Sequence, residues 1–381
     1  MPSARASRFT GQVRLTSPGW TPEVKAWLED LLQRGAGRGL PVAFDFDNTL
    51  VCGDIGEATL ALLVKQRRLK PETVAALATP FRTASGRRII PGRLPDLTAY
   101  YEALLEGSGH GDADPNPLTS GYTWAAEVMA GLSPARIVQA TAAVVALARP
   151  GENRCLEVTP GKTAYPLPWF YPEMIELVAA LLKRRFEVWI VSASNVWSVR
   201  WMILEELNPK LQRLGCPHGV AADRVIGVAP LLRDRQGRVL KDRVLVQTHA
   251  AYAHLEHRTL AGLRLTRRLD LPAPVYAGKV ACLWDALGGR PCLAVGDSPG
   301  DLPMLAFAEN RLWVARLEKP DYTAAMLTCR NQQGADGWAL QPVLTRGAPG
   351  LLADPAHVAR GGVPLAPGVA RSLSLLGWDR A

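Results

Sequence analysis

Apolar runs of four or five residues recur along the chain, and three of them end in carboxylate or hydroxyl residues. Leu40-Pro41-Val42-Ala43-Phe44 runs into Asp45-Phe46-Asp47-Asn48-Thr49. Phe186-Glu187-Val188-Trp189-Ile190 runs into Val191-Ser192-Ala193-Ser194-Asn195, and Pro291-Cys292-Leu293-Ala294-Val295 into Gly296-Asp297-Ser298-Pro299-Gly300-Asp301. Short, mostly apolar runs bounded by turn residues read as strands buried on both faces. Leu312-Trp313-Val314-Ala315 is a fourth.

Between these runs the pattern is helical. Thr21-Pro22-Glu23 opens a helix, with Thr as cap and Pro in the first turn, and Val24, Trp27, Leu28, Leu31 and Leu32 form its apolar face. Gly35-Ala36-Gly37-Arg38-Gly39 stops it before the first strand, so these glycines are not a dinucleotide loop. Helices are predicted over 56–67, 71–78, 95–106, 119–130 and 133–148, broken by a Gly/Asp/Pro-rich loop at 107–118, with no strand alternation from 56 to 148. Further helices are expected over 172–183, 198–206, 280–287 and 302–308. Asp234-Arg235-Gln236-Gly237 reads as the turn of a hairpin between 224–228 and 238–240. Strand and helix alternate after residue 170, which predicts an α/β fold with a Rossmann-like parallel sheet core and a helical insertion after its first strand.

The expected division is an arm and helix over 1–40, with the first twenty residues flexible or loosely docked; an α/β core over 41–55 and 160–345; a helical cap over 56–159; and a Pro/Gly-rich tail over 346–381 with no assigned role. A chain of 381 residues, 48% of them apolar, can bury such a core.

Net charge is +9, but the cationic clusters are short, such as Gln66-Arg67-Arg68 and Lys183-Arg184-Arg185. No nucleic-acid arm is expected, and the basic balance reads as a solvated surface. Six cysteines without Cys-x-x-Cys spacing read as reduced thiols, Cys52 as a small buried hydrophobe. The N-terminus begins Met1-Pro2-Ser3-Ala4-Arg5 without an apolar signal core. The apolar stretch 137–148 is too short for a membrane and contains Gln139 and Thr141. A cytoplasmic enzyme without a membrane partner is the expectation. Gly161-Lys162-Thr163 lacks the first glycine of a phosphate loop, since position 156 is Leu, and His249, His254 and His257 miss zinc-protease spacing.

Asp45 and Asp47 lean to one side of an extended chain, about 7 Å apart. Two carboxylates there need a shared cation or a proton. One can then attack as a nucleophile while the other moves a proton, with Mg²⁺ neutralising the cluster. Taken singly, each element has a plain structural reading: Asp-x-Asp as a turn, Ser192 as a helix cap, Lys279 as a surface lysine. The order carboxylate pair, hydroxyl, lysine, carboxylate pair resembles the haloacid dehalogenase superfamily, whose four motifs these are.

That resemblance implies roles. Asp45 attacks phosphorus and forms an aspartyl-phosphate; Asp47 protonates the leaving alkoxide and then activates water. The Asp45 side chain, the Asp47 backbone carbonyl and Asp297 hold Mg²⁺, with Asp301 in support. Ser192 donates to the phosphoryl group, with Ala193 beside it at the substrate, and Lys279 neutralises charge. The aspartate at 47 distinguishes phosphatases from the superfamily's dehalogenases and P-type ATPases. The implied activity is a Mg²⁺-dependent phosphomonoesterase acting on a small phosphorylated metabolite. Alternatives are a phosphomutase or phosphoprotein phosphatase on the same scaffold, or a non-catalytic basic binding module.

A helical insertion after the first motif resembles the cap of the phosphoserine-phosphatase-like branch. The Gly53-Asp54-Ile55-Gly56-Glu57-Ala58 segment, Tyr122-Thr123-Trp124 and Val191-Ser192-Ala193-Ser194 resemble bacterial phosphorylcholine and phosphoethanolamine phosphatases, which are secreted and carry signal peptides. This implies a substrate amine met by Asp54 and Glu57, with Tyr122 and Trp124 as its aromatic wall. Asp54 fits a helix N-cap equally, and the two aromatics fit cap core.

Overall fold

The computed structural model describes residues 13–83, 85–108, 121–355 and 365–378. Residues 1–12 of the expected arm, 109–118 of the expected loop, 119 and 120 of the expected helix at 119–130, and 356–364 and 379–381 of the tail lie outside the described residues.

A seven-stranded sheet forms the centre. Its strands are β1 (Pro41–Phe44), β2 (Glu187–Asn195), β3 (Val225–Val228), β4 (Leu293–Gly296), β5 (Asn310–Arg316), β6 (Trp338–Leu344) and β7 (Gly350–Leu351). They lie in the order β7-β6-β5-β4-β1-β2-β3, all parallel except the β6–β7 pair. Val42 faces Leu293 on one side and Val188 on the other. Because side chains alternate, Val42, Phe44, Ile190 and Val295 pack on one face of the sheet, while Ala43, Val191 and Ala294 pack on the other with Met304, Leu305 and Met326. Both faces are covered, as a parallel sheet requires. β1 is central, so the strands carrying the three motifs lie side by side.

The α-helices between β1 and residue 150 are Ile55–Lys65, Pro71–Leu77, Leu97–Ser108, Gly121–Glu127 and Pro134–Leu147, close to the predicted spans. The caps work as predicted: Thr21 accepts from Val24 N and Ser133 from Arg136 N. Three expectations are corrected. Two-stranded pairs occur where no strand was predicted, Phe81–Arg82 with Arg88–Ile89, and a longer pair, Cys155–Thr159 with Thr163–Pro166, follows the last helix. The first is too short for a period of two to register. Gly161 and Lys162 lie in the turn of the second, and Thr163 opens its return strand.

The predicted hairpin pairs differently. Val225–Val228 joins the central sheet as β3, and Pro230–Arg233 pairs with Val239–Leu240. The turn at Asp234 fixes where a strand ends; with only Ala229 between two apolar runs, it does not say which run belongs to it. The helix predicted over 198–206 runs as three segments, with Met202–Leu207 wound as a π-helix.

Residues 13–20 of the arm are docked. Val13, Leu15 and Trp20 are buried, Gly19 N donates to Glu173 and Thr21 N donates to Gln341. The tail supplies β7 and a helix, Pro367–Leu375, which buries Val369 and Leu373 against Leu317. Among the described residues no helix is long and apolar enough to cross a membrane.

Candidate active site

The carboxyl ends of β1, β2, β4 and β5 meet at one point. After β1 the chain turns sharply. Asn48 takes a left-handed φ of 57° and donates its N–H to the Gly53 carbonyl at 3.0 Å. Gly53 itself has φ 90°, which favours glycine. This reversal leaves Asp45 and Asp47 projecting from the strand end and starts the Ile55–Lys65 helix directly over them.

Asp47 is buried and takes three donors. Ile55 N–H reaches Oδ1 at 2.8 Å; the Ser192 and Ser194 hydroxyls reach Oδ2 at 3.0 and 2.7 Å. Burial, then the nearby Asp54 charge, raise its pKa to about 8 against the pull of those hydrogen bonds. Asp47 therefore holds a proton at neutral pH. Gly56 lets the helix start come this close: a Cβ there would lie 2.3 Å from Ser194 Oγ.

Asp45 faces the other way. Its Oδ1 is 2.5 Å from Lys279 Nζ and its Oδ2 accepts from Thr49 Oγ1 at 3.0 Å. Burial and the charge of Asp301 raise its pKa to about 7, Lys279 opposing them. Lys279 also donates to Asp301 Oδ1 at 2.6 Å, so one ammonium bridges two carboxylates. Burial alone would lower the lysine's pKa; the two carboxylates outweigh it and keep Lys279 charged. Asp301 Oδ2 accepts from the backbone N–H groups of Asp297 and Ser298 and from the Ser298 hydroxyl. Asp301 is thus oriented through both oxygens. Asp297 Oδ1 accepts from Thr49 Oγ1 at 3.2 Å. Burial raises its pKa to about 8, Arg316 opposing.

The carboxylates of Asp45, Asp297 and Asp301 offer oxygens within 4.8 Å of one another. Asp297 Oδ2 is buried and accepts no hydrogen bond, although Arg316 Nε lies 2.7 Å away, because the N–H is not aimed at it. A hard oxygen cluster with an uncompensated buried lone pair fits a divalent cation. The Asp47 carboxylate is not part of this group; it is turned to the two serines.

A cavity of about 60 Å³ opens over these groups, lined by Asp45, Asp47, Lys279, Asp297, Tyr276 and Arg316 among others. A smaller space adjoins it, lined by Asp54, Glu57, Tyr101, Tyr122, Met129 and Ala193 among others. Asp54, Tyr122, Ala193 and Ser194 line both. Asp54 is the N-cap of the Ile55–Lys65 helix, accepting from Glu57 N at 2.8 Å, and it faces the cavity as well. Burial raises the pKa of Glu57 to about 7, and Tyr101 O–H donates to it at 3.3 Å. Tyr122 sits edge-on to Tyr276 at 6.4 Å.

Trp124 does not reach this space. It is 6% exposed, its Nε1 donates to the Leu77 carbonyl, and its ring packs on Tyr100 and Tyr101. Tyr101, on the Leu97–Ser108 helix, takes the place expected for Trp124. A larger cavity, about 690 Å³ between Trp27, Trp313, Trp338 and Trp378, contains none of these groups.

Sequence reasoning missed Thr49, Ser194, Tyr276 and Arg316 as site residues. Arg316 follows an apolar strand, as the three motifs do, and that position is its signal. Tyr276 takes φ 50° and ψ −123°, rare for a residue with a side chain, just before the helix that carries Lys279.

A sequence profile of the haloacid dehalogenase-like hydrolases matches residues 42–306, which span all four motifs. The chain belongs to the haloacid dehalogenase-like hydrolases. Among solved structures similar to this hydrolase is a conserved protein of unknown function from Anaerococcus prevotii. It is 17% identical with a TM-score of 0.59, covering 89% of this chain and 97% of that one. Two more distant ones are a hydrolase of the same family from Salmonella enterica serovar Typhi and a cytosolic 5'-nucleotidase IIIB bound to cytidine. The first is 15% identical, with a TM-score of 0.35, and covers 81% and 77% of the two chains. The second is 12% identical, with a TM-score of 0.42, and covers 84% and 85%. No curated protein matches the chain.

Proposed function

We propose that this hydrolase is a phosphomonoesterase that works through an aspartyl-phosphate on Asp45. The observation that carries the reading is the pairing of a buried Asp45, held by Lys279, with an Asp47 that keeps its proton. Attack and protonation are then divided between two carboxyls two residues apart.

An Asp45 oxygen attacks phosphorus and the phosphorus–oxygen ester bond breaks. Asp47 gives its proton to the departing alkoxide. It then takes a proton from the water that attacks the acyl phosphate, which restores Asp45 as carboxylate and releases inorganic phosphate. Ser192 donates to a phosphoryl oxygen, with Ala193 beside it. Asp45, Asp297 and the Asp47 backbone carbonyl, with Asp301 alongside, would hold a divalent cation, best Mg²⁺. Such an ion supplies positive charge against the phosphoryl oxygens. Lys279 and the helix-borne Asp54 hold the two ends of the reaction space.

The substrate is small and carries an amine. Asp54 and Glu57 bring two acids to the space beside the cavity, next to the rings of Tyr101 and Tyr122. An ammonium there gains two carboxylates and aromatic faces worth about 0.5–2 kcal/mol each. Residues 56–159 act as a cap, which closes over such a substrate and excludes bulk water. The branch that fits is the phosphoserine-phosphatase-like one, acting in the cytoplasm.

The test is a screen of phosphorylated metabolites with and without Mg²⁺. Phosphorylcholine and phosphoethanolamine should lead, phosphoserine should follow and sugar phosphates should trail. A preference for sugar phosphates would overturn the substrate and leave the phosphatase. No Mg²⁺-dependent phosphate release from any ester would overturn both.

A further inference from the structure

Two arginines of the described core have side chains withdrawn from solvent, and they are used differently. Arg200 is fully paired: NH1 and NH2 donate to the two oxygens of Asp242 at 2.9 and 2.7 Å, and Nε donates to the Ala222 carbonyl. That is how a structural arginine satisfies its fork of donors. Arg316 is 12% exposed and lines the catalytic cavity, yet its guanidinium donates no hydrogen bond to any described residue. Its charge is met by Asp297, with Nε 2.7 Å from Oδ2, but the N–H points elsewhere.

The group is not loose. Its Cζ stands 5.1 Å over the Tyr322 ring, on the helix that follows β5. It sits at the end of β5, directly beside β4 and Asp297. Lys279, the cation already assigned to the phosphate, spends two of its donors on Asp45 and Asp301. A buried guanidinium with idle donors, braced from behind and lining the same cavity as the nucleophile, is built for an anion that arrives from solution.

We propose that Arg316 is a second phosphate-binding residue, donating to an oxygen of the phosphoryl group that Asp45 attacks. The proposal rests on the phosphatase reading. It predicts that inorganic phosphate, which has no leaving group, is enough to detect the contact.

The experiment is calorimetric titration of inorganic phosphate into the Mg²⁺-loaded full chain, for wild type, Arg316→Met and Arg316→Lys, alongside titration of Mg²⁺ itself. Losing a charged hydrogen bond should weaken phosphate about tenfold or more in the Met variant. The Lys variant, which keeps charge but not the fork, should recover part of it. Phosphate affinity within twofold of wild type in both variants would overturn the proposal. Tighter Mg²⁺ with unchanged phosphate would overturn it too, and make Arg316 a counter-ion of Asp297 alone. A phosphate loss that appears only for esters bearing a second anionic group, with inorganic phosphate unaffected, would move Arg316 to the leaving group and also overturn it. If the wild type releases phosphate from esters while the variants keep phosphate affinity, only this inference fails. If the wild type neither binds phosphate nor hydrolyses an ester, the phosphatase reading fails with it.

Discussion

Asp47 and Asp54 share one hydroxyl: Ser194 Oγ lies 2.7 Å from Asp47 Oδ2 and 3.3 Å from Asp54 Oδ1. A group placed to deliver a proton is thereby tied to the cap of the helix that roofs the site. The Asp54 charge, after burial, is the largest influence raising the Asp47 pKa. Asp47 must be protonated to serve as acid, so kcat/KM for an alkyl phosphate should fall as pH rises through about 8. Asp54→Asn removes the neighbouring charge and should move that fall to lower pH. A pH–rate profile reads it directly; an unmoved alkaline limb would mean that Ser194 insulates the two acids.

The two aspartates of the first motif should fail in different ways. Asp45→Asn cannot form an acyl phosphate, and turnover of every ester should drop by about 10³-fold or more with the fold intact by circular dichroism. Asp47→Asn should be selective. Loss of a general acid costs about 10²–10⁴-fold where the leaving group needs a proton. A p-nitrophenolate leaves without one, so p-nitrophenyl phosphate should be spared relative to phosphoethanolamine in the formation of the intermediate. Equal losses in single-turnover rates on both esters would remove Asp47 from that role.

Stability of the metal-free protein should depend on pH with an unusual sign. Burial raises Asp45 and Glu57 to about 7, and Asp47 and Asp297 to about 8. Unfolded, these groups lose their protons near pH 4. From about pH 4 to 8 the folded chain therefore holds protons that the unfolded chain has released, and stability falls as pH rises. In EDTA the melting temperature should decline from pH 5.5 to 8. Mg²⁺ takes the carboxylates as anions, so it should raise the melting temperature more at pH 8 than at pH 6. Differential scanning fluorimetry across that grid would show a flat response if the cluster neither holds protons nor takes a cation.

The site was legible where chemistry follows an apolar run. Asp45, Asp47 and Asp297 stand just past the end of a strand, Ser192 lies among the last residues of β2 and Asp301 in the turn after β4, and in a parallel sheet those ends converge. Arg316 obeys the same rule, but a lone charge after an apolar run reads equally as the point where a strand meets water. Ser194 and Thr49 matter through hydrogen bonds whose partners depend on how strands and turns are set against one another, which spacing along one strand does not carry. Tyr101 and Trp124 show a related limit: helical period gives each a buried face, but only packing decides which ring is turned to the cavity. The β3 exchange and the docked helix Pro367–Leu375 were hidden because turn and proline signals mark boundaries, not partners.

The central position of β1 has a kinetic side. The contacts that build the site span 145 residues from Asp47 to Ser192, 234 from Asp45 to Lys279 and 248 from Thr49 to Asp297. Each is a long loop to close, and none is rewarded until both flanking strands have arrived. During refolding, helical signal should return first, because its contacts are local. The ability to turn over substrate should return last, when the segments on either side of β1 have found it. An inactive, largely helical species is the natural waypoint of this chain.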